Sequence, residues 1–361
     1  MIESLVRFLT LRNSKNNKLC LIGHFGGSKD FFDGQTVKTR IIYTELKKTA
    51  SFQIFCVDTY YKSSHPFKLL LQSIYYLTLC RYTIILPSTN GRKFFFPLLY
   101  FFSKIFKKKI FHIITGGYLP EQLLDYPKWL KYINSFEVNW IQFKSACDKL
   151  TECGVRNAEV LHNFKNLSIV KEDELPVEHF APYRFCTFSR ISVAKGIPDA
   201  IRAVDAVNEH FGYEIASLDI YGQPDADYGD EFAILMETVS DAIKYKGTVP
   251  YDQSTGILKN YFALLFPTFF NGEGFAGTII DAFSSGLPVI ATDWHANAEI
   301  IENGVTGIIY PDNAHLYDSI LYAVSNPEII HAMRPACIWR AGECMPERHI
   351  KQIIDKIQNN A

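Results

Sequence analysis

The stretch PTFFNGEGFAGTIIDAFSSGLPVIATDWHANAE, residues 267–299, decides the fold of this 361-residue chain. The apolar run YFALLF precedes it and predicts a short buried strand. Residues 278–285 carry apolar side chains at helical spacing, and Gly286 followed by Pro288 predicts the end of that helix. The stretch therefore predicts a strand, an acidic glycine loop, a helix that begins near residues 276–278, and a second strand.

The loop in this stretch predicts an anion site. A helix N-terminus offers free N–H groups and the positive end of the helix dipole, and both favour a bound phosphate. Glu273 precedes the helix and Asp281 lies about one turn inside it, so a carboxylate flanks the anion site on either side. A nucleotide sugar matches this layout, because its diphosphate lies between the hydroxyls of a ribose and those of a hexose.

The stretch resembles the donor-site signature of retaining GT-B glycosyltransferases of family 4. That signature reads E-G-F-G-x-x-x-x-E, then A-x-x-x-G-x-P-V-I-A-(S/T)-D, then a Glu and N-G-x-x-G. The matching residues are Glu273, Gly274, Phe275, Ala282, Gly286, Pro288, Val289, Ile290, Ala291, Thr292, Asp293, Glu299, Asn303, Gly304 and Gly307. Two positions depart from it: the fourth loop residue is Ala276, followed by Gly277, and the second acidic residue is Asp281.

The resemblance implies an α/β chain of the GT-B class, with two facing Rossmann-like domains built on parallel sheets. It implies that Glu273 holds sugar hydroxyls and Asp281 the ribose, while the N–H groups of Phe275, Ala276 and Gly277 hold the phosphates. Gly274 and Glu299 belong to the same implied donor site. Because Asp281 is one methylene shorter than Glu, its ribose contact is expected to need a bridging water.

A second motif, R-x-x-x-x-K-G, follows a predicted strand in YRFCTFSRISVAKGIPDA. It contains Arg190, Lys195 and Gly196. In the resembled family these two cations hold the donor diphosphate. Two fixed positive charges opposite a helix N-terminus suit a diphosphate site without a metal, since charge builds on the leaving phosphate as the glycosidic bond breaks. Solvated surface cations are the alternative interpretation of the same residues.

The first half of the chain offers weaker candidates. Gly26 and Gly27 follow the first predicted strand, at the edge where α/β sheets bind ligands, and in the resembled family such a loop lies near donor and acceptor. His112 ends a later strand, where the family has a histidine that contacts the donor sugar or supports the acceptor side. A tight turn for the glycines and a structural role for the histidine remain open.

Alternating strands and helices predict two domains and a tail. We place an acceptor domain at residues 1–165, a donor domain at 166–335, and a helix at 336–361 that crosses back to the first domain. The charged segment KEDELPVEH, residues 171–179, is interpreted as a linker. Met1–Thr10 is only weakly apolar and lacks a cleavage site, so no signal peptide is expected.

The composition indicates a globular protein, with 48% hydrophobic and 21% charged residues. The eight cysteines show no metal-ligand spacing, which favours a reduced cytoplasmic setting. Residues 1–165 contain 24 Lys and Arg against 11 Asp and Glu (net +13), whereas residues 166–361 contain 13 against 27 (net −14). The first half is therefore expected to meet an anionic surface, for which anionic lipid and nucleic acid are the two candidates.

The segment GRKFFFPLLYFFSKIFKKK, residues 91–109, combines aromatic and lysine residues. Its apolar run is too short to span a bilayer, and Pro97 interrupts it. It fits a segment that lies on an anionic membrane; a buried helix with a solvated basic end is the alternative. We expect a peripheral enzyme at the inner face of the plasma membrane.

The expected reaction is hexosyl transfer, with retention and without metal, from a nucleotide sugar to a lipid-linked glycan. No cofactor is expected, and a UDP-sugar is expected over a GDP-sugar as the donor. Residues 26–39, GGSKDFFDGQTVKT, resemble glycosyltransferases of bacterial capsule, exopolysaccharide or O-antigen assembly.

The alternative functions are a GT-B sugar-nucleotide epimerase, a non-catalytic nucleotide-sugar or membrane binder, and a nucleic-acid binder. Nucleic acid is not expected as a partner, because no recognised binding motif is present and the acidic half repels phosphates. The D-x-D at residues 225–227 is interpreted as a solvated loop.

Overall fold

The computed structural model describes residues 17–28, 34–176, 178–250 and 253–359. The expectation about a signal peptide at Met1–Thr10 lies outside these residues, as does part of the loop after Gly27. The chain divides into two compact units, one made of residues 1–162 and 346–361 and the other of residues 163–345. Within the described ranges, no helix has the length and apolar content needed to cross a membrane.

The described residues of the first unit form a six-stranded sheet, ordered β2-β1-β3-β4-β5-β6, in which every pair of neighbours is parallel. Its strands are β1 Lys18–Gly23, β2 Gln53–Asp58, β3 Tyr82–Ile85, β4 Lys109–Ile113, β5 Val138–Ile141 and β6 Ala158–Val160. The helices that connect them are α1 Gly34–Lys48, α2 Pro66–Leu79, α3 Thr89–Phe106, α4 Leu119–Asp125, α5 Lys128–Ile133 and α6 Lys144–Glu152, with a 3₁₀ turn at Thr59–Lys62. Strands β1 and β3 are apolar along most of their length because helices cover both faces of a parallel sheet.

The second unit repeats this plan in its described residues, with the strand order β12-β11-β10-β7-β8-β9. Its strands are β7 Tyr183–Phe188, β8 Ala216–Tyr221, β9 Ile243–Gly247, β10 Ala263–Phe266, β11 Val289–Thr292 and β12 Gly307–Tyr310. Its helices are α7 Ile197–Phe211, α8 Gly229–Met236, α9 Ser254–Leu258, α10 Gly277–Ser284, α11 Asn297–Ile300, α12 Leu316–Ser325, α13 Pro327–Ala332 and α14 Arg334–Gly342, with 3₁₀ turns at Glu172–Glu174, Val193–Lys195 and Asn313–His315. The α/β class with two parallel sheets is confirmed.

The last helix, α15 Pro346–Asn359, belongs to the first unit. Its buried residues include His349, Ile350, Ile353 and Ile357, and it packs against α1. The division at 345/346 differs from the sequence-based boundary at 335/336. Helix α14 packs against α10 of the second unit, and the side chain of Ile338 lies beside Gly286. Residues 336–345 therefore belong with the second unit.

The other boundary, between His162 and Asn163, also differs from the sequence-based one at 165/166. The side chain of Asn163 donates to the carbonyl oxygen of Phe275 at 2.9 Å, and the N–H of Val170 donates to the carbonyl of Ser284 at 2.8 Å. Residues 163–170 are thereby attached to the helix α10 region. The segment 171–179, expected to be the linker, consequently lies inside the second unit rather than between units.

Helix α3 covers most of residues 91–109, for which a membrane-lying segment and a buried helix with a solvated basic end were the two interpretations. It runs through Pro97 without ending, and one side of it is buried in the first unit. The buried residues of α3 are Arg92, Phe95, Phe96, Leu99 and Phe102. These residues fit the buried-helix alternative, whereas Phe101, Ile105 and Phe106 are exposed.

Candidate functional site

Strand β10, the loop at 267–276 and helix α10 form the centre of the candidate site. The helix begins at Gly277 with Ala276 as its N-cap, within the range predicted from the sequence. Gly286, at φ 61°, follows the helix end in the left-handed conformation that glycine favours. A side chain at Gly286 would press against Leu175. The local sequence thus sets both ends of α10, and its N-terminus directly follows the loop.

Glu273 is buried in this loop and bound from two sides. Its Oε2 accepts a hydrogen bond from the Oγ1 of Thr268 at 3.0 Å and forms an ion pair with the Nζ of Lys195. The N–H of Glu273 donates to the carbonyl of Phe270 at 3.0 Å, which fixes the backbone that carries the carboxylate. The predicted sugar-binding carboxylate is therefore held in one orientation next to a predicted diphosphate-binding cation.

Both cations of the R-x-x-x-x-K-G motif lie against one aromatic ring. The Nζ of Lys195 is 4.9 Å from the centroid of Phe270, and the guanidinium carbon of Arg190 is 5.5 Å from it. Cation–π attraction of this kind stabilises a positive charge over a ring face. Lys195 is mostly buried, whereas Arg190 is exposed and pairs with Asp225 at 2.9 Å. The motif named both cations, but the sequence gave no indication of Phe270.

Asp225 has a role that sequence reasoning did not assign. The D-x-D containing it was interpreted as a solvated loop, yet its Oδ1 accepts from the NH1 of Arg190. The backbone supports the pairing, because the N–H of Asp225 donates to the carbonyl of Ile191 at 3.0 Å. Asp225 is therefore a partner for Arg190 in this structure, and no group of three or more His, Cys, Asp or Glu suited to a metal occurs among the described residues.

Gly196 explains how Lys195 is placed. The 3₁₀ turn Val193–Lys195 ends at Gly196, whose φ of 71° lies in the left-handed region. A Cβ at Gly196 would collide with the carbonyl oxygen of Pro267, at the start of the Glu273 loop. The N–H of Phe269 also donates to the carbonyl of Ala194 at 2.9 Å. Only glycine lets the two loops approach this closely, and this approach puts Lys195 beside Glu273.

Asp281 is buried and paired with a residue that the sequence analysis missed. The Nζ of Lys165 lies 2.6 and 2.7 Å from its two carboxylate oxygens. Burial raises the pKa of Asp281, and the ammonium of Lys165 opposes that rise. A Cβ at Gly277 would lie 3.8 Å from the Nζ of Lys165, so the ammonium sits beside the first residue of α10. No motif spacing announces Lys165, because it is 116 residues from its partner.

The donor-loop candidate Phe275 and the neighbouring Thr278, in the first turn of α10, both make structural contacts. Phe275 is buried, and its carbonyl accepts from Asn163, as described above. The Oγ1 of Thr278 donates to the carbonyl of Phe188, which ties the first turn of α10 to the carboxyl end of β7. Glu299 is exposed in the first turn of α11. The phosphate role of the loop N–H groups stays a prediction.

The N-G-x-x-G segment is a turn that brings two strands together. The side chain of Asn303 accepts from the N–H of Ile309 at 3.0 Å. Gly304 adopts φ 79°, and a Cβ at Gly307 would collide with the carbonyl of Val289. These contacts account for the two glycines without a ligand.

In the first unit, Asp58 holds the candidate glycine loop. Its carboxylate accepts from the N–H groups of Phe25 and Gly27, each at 2.9 Å. Gly26 and Gly27 have φ values of 84° and 57°, so both need the left-handed conformation that glycine favours. The loop is therefore fixed from the end of β2, a partner that the sequence analysis did not name. A site role for Gly26 and Gly27 stays a prediction.

The structure gives His112 an interior position instead of the expected site position. It lies within β4, fully buried, between the rings of Phe96 and Phe136. Its Nδ1 is 2.9 Å from the Oδ1 of Asn139. Burial, and next the positive charge of Arg92, lower the pKa of His112 to about 3. The enclosed ring therefore fits the structural alternative for His112.

Comparisons with known proteins found similarity to glycosyltransferases. Residues 182–326 match the family described as Glycosyl transferases group 1. The chain is 32% identical over 149 residues to the UDP-N-acetylglucosamine--peptide N-acetylglucosaminyltransferase GtfA subunit of Streptococcus pneumoniae serotype 4, covering 39% of this chain and 27% of that protein. It is 24% identical over 186 residues to the amylovoran biosynthesis glycosyltransferase AmsK of Erwinia amylovora, covering 49% and 45%. The chain thus matches about a quarter to a half of the length of these relatives.

A solved structure extends the likeness to both units. The Anabaena protein Alr3699/HepE, crystallised with UDP and glucose, superposes with a TM-score of 0.70 over 96% of this chain and 100% of that chain, at 12% identity. At this identity the likeness shows the fold alone. The GT-B fold expected from the sequence is therefore confirmed.

Proposed function

We propose that this protein is a retaining glycosyltransferase of family 4 that moves a hexosyl unit from a nucleotide sugar to a hydroxyl of a glycan acceptor. One observation carries the proposal: Arg190, Lys195 and Glu273 converge around Phe270 beside the start of α10. The match of residues 182–326 to group 1 glycosyltransferases covers this cluster and supports the assignment.

The cluster suits a diphosphate. Lys195 and Arg190 supply two positive charges, and the first turn of α10 supplies N–H groups and the positive end of its dipole. A diphosphate bound there gains charge-assisted hydrogen bonds. These bonds strengthen as the glycosidic bond breaks, because negative charge then builds on the leaving phosphate. The protein groups can stabilise this charge by themselves, so we assign a mechanism that needs no metal.

The two carboxylates suit the two sugars of the donor. Glu273, held next to Lys195, is assigned to the hexose hydroxyls, and Asp281, beside the first residue of α10, to the ribose. Each carboxylate is bound to a lysine in this structure. Donor binding therefore draws Lys195 toward the phosphate and leaves carboxylate oxygens of Glu273 to accept sugar hydroxyls. For the reaction itself we assign same-face displacement, in which the leaving phosphate helps to deprotonate the acceptor hydroxyl.

The donor and acceptor are assigned by class. A UDP-sugar is favoured as the donor, since the GtfA subunit is named for a UDP-sugar and HepE was crystallised with UDP. For the acceptor we propose a lipid-linked glycan of bacterial surface polysaccharide synthesis, such as capsule or O-antigen, in line with the name of the relative AmsK. The enzyme would then work in the cytoplasm, on the inner face of the plasma membrane.

A non-catalytic nucleotide-sugar binder is the second candidate. Its support is the pairing of both Asp281 oxygens with Lys165, which occupies the carboxylate assigned to the ribose. Such a protein would bind the donor without releasing UDP or transferring sugar.

The test is a transfer assay with Glu273→Ala. Loss of the carboxylate should reduce transfer at least about 100-fold, as expected for removing one group that stabilises the transition state, with the fold retained. Glu237→Ala is the matched control, because Glu237 is an exposed acid in the same unit. Full activity in Glu273→Ala would contradict the assignment. Donor binding by the wild type without turnover would favour the non-catalytic candidate.

A further inference from the structure

Helix α2 of the first unit carries a row of exposed apolar side chains. Phe67, Leu71 and Tyr75 are 82%, 68% and 62% exposed. Its buried residues are Leu69, Ser73 and Leu77. Because residues four apart lie on one side of a helix, the apolar row and the buried row form two separate faces. An apolar row facing solvent is typical of a surface that binds a partner.

Helix α3 extends this face. The chain crosses the sheet in one direction from β2 through β3 to β4, and right-handed crossovers therefore place α2 and α3 on the same side of it. The ends of the two helices are tied together, because Lys108, two residues after the end of α3, donates from its Nζ to the carbonyls of Thr78 in α2 and of Cys80 at its C-cap, at 2.7 and 2.8 Å. Helix α1 lies on the opposite side, where α15 packs against it.

The charge of this region has one sign. From Thr59 to Pro120 the sequence contains nine Lys and Arg and no Asp or Glu. Lys68 on α2 and Lys104 on α3 are exposed, as is Ile105 next to Lys104. We define the α2–α3 surface by six exposed residues: Phe67, Lys68, Leu71, Tyr75, Lys104 and Ile105.

We propose that the α2–α3 surface docks the first unit on an anionic lipid bilayer, with α2 lying in the plane of the interface. Apolar side chains at the interface and lysines at anionic headgroups are the two contributions that hold such a helix on a membrane. This surface presents both together. This proposal rests on the membrane location in the proposed function. It assigns membrane contact to a specific surface, which is centred on α2 and is not limited to residues 91–109.

Other occupants fit the surface less well. Two copies of this chain joined symmetrically through it would place lysines against lysines, because a two-fold interface uses the same patch twice. A nucleic acid would match the charge but would leave Phe67 and Leu71 without apolar contacts. An anionic bilayer satisfies both the charge and the apolar row.

The experiment is vesicle flotation of the full chain without nucleotide sugar. Vesicles of phosphatidylglycerol and phosphatidylcholine are compared with vesicles of phosphatidylcholine alone. The apolar variant is Phe67→Ser/Leu71→Ser/Tyr75→Ser, and the charge variant is Lys68→Gln/Lys104→Gln. The control is Ile234→Ser/Trp339→Ser, which removes apolar side chains that are 66% and 70% exposed in the second unit.

We expect the wild type and the control to bind the anionic vesicles alike. The apolar variant should bind at least about tenfold more weakly, from the lost interfacial contacts. The charge variant should bind about tenfold more weakly, with a shallower salt dependence. Binding of the apolar variant like the wild type, equal binding to both vesicles, or no binding would overturn the proposal. If the wild type is a dimer and the apolar variant is a monomer, the surface is an interface between two copies of the chain and the proposal is overturned. If the wild type binds an oligonucleotide and not vesicles, the proposal is overturned in favour of a nucleic acid. A wild type that transfers sugar but does not bind the vesicles would count against this surface only, whereas a wild type that binds the vesicles without transferring sugar would count against the proposed function only.

Discussion

At the scale of single residues, the pair Lys165–Asp281 is the most informative feature of the candidate site. Two opposite charges are removed from water beside the first turn of α10, with the Lys165 ammonium held by both oxygens of one carboxylate. Burying a charge costs several kcal/mol unless a partner compensates it. Each residue therefore depends on the other, and removing one should cost more than removing both.

Lys165→Met should destabilise the second unit by about 3 kcal/mol at neutral pH, because it leaves the Asp281 carboxylate buried without its counter-charge. The double variant Lys165→Met/Asp281→Leu should recover most of that loss. Burial raises the pKa of Asp281 in the folded chain, so protonation favours the native state of the single variant and its deficit should shrink as the pH falls. Urea denaturation at several pH values measures this, and equal stability of Lys165→Met and wild type would contradict it.

His112 gives a second test at this scale. Its pKa of about 3 lies below the ordinary value of about 6.5. Between these values the unfolded chain binds a proton that the native chain does not, so the free energy of unfolding of the first unit should fall as the pH drops from 6.5 toward 3. His112→Gln removes this titration. A pH series of urea midpoints should therefore be flatter for His112→Gln than for the wild type, and parallel curves would count against a buried neutral His112.

At the scale of elements, the site depends on the approach of two loops. The turn before α7 meets the loop after β10 at Gly196, where no side chain fits. The same helix ends at Gly212, which has nearly the same backbone conformation, φ 73° against 71°, but no atom within 4 Å of a Cβ position. Alanine substitutions at the two ends of α7 therefore distinguish the cost of backbone strain, present at both positions, from the cost of steric collision, present only at Gly196.

Gly212→Ala should destabilise the second unit by about 1 kcal/mol, the cost of a left-handed Ala. Gly196→Ala adds the collision with Pro267, so it should cost at least about 3 kcal/mol and weaken nucleotide-sugar binding. Thermal unfolding and calorimetric titration of both variants measure the difference. Equal effects of the two substitutions would show that the loops do not meet as described.

The sequence was most informative about the helices and strands. Parallel strands buried on both faces leave continuous apolar runs, so the alternation of strands and helices could be predicted. The start of α10 could also be predicted, because Gly272, Glu273 and Gly274 favour a loop and helical apolar spacing follows from Thr278. The pairing of Arg190 with Asp225 and of Lys165 with Asp281 could not, because such contacts join loops distant in sequence and have no fixed spacing. The sequence placed His112 at the end of its strand rather than inside it, because an apolar run does not show where the strand stops.

At the scale of the whole molecule, the chain leaves its first unit after residue 162 and returns to it at residue 346. Helix α15 buries Ile353 and Ile357 completely in that unit. Helix α15 is thus part of the core of the first unit, while the proposed donor groups all lie in the second unit.

Ile353→Ala should destabilise the first unit by about 3 kcal/mol through the cavity it leaves. Nucleotide binding by the second unit should persist below the temperature at which the first unit unfolds. Lys351→Ala, an exposed substitution on the same helix, is the control and should change little. Hydrogen exchange resolves the two units separately, and equal loss of protection in both units would contradict this division of the core.

In the proposed function, Arg190, Lys195 and the start of α10 hold the diphosphate of a nucleotide sugar. The most direct test of this assignment is a thermal-shift panel of UDP-, GDP- and ADP-sugars without added metal, on the wild type, Arg190→Ala and the exposed control Arg202→Ala. We predict stabilisation by UDP-sugars that persists in Arg202→Ala and disappears in Arg190→Ala. No stabilisation by any nucleotide sugar, or the same stabilisation in Arg190→Ala, would contradict the account.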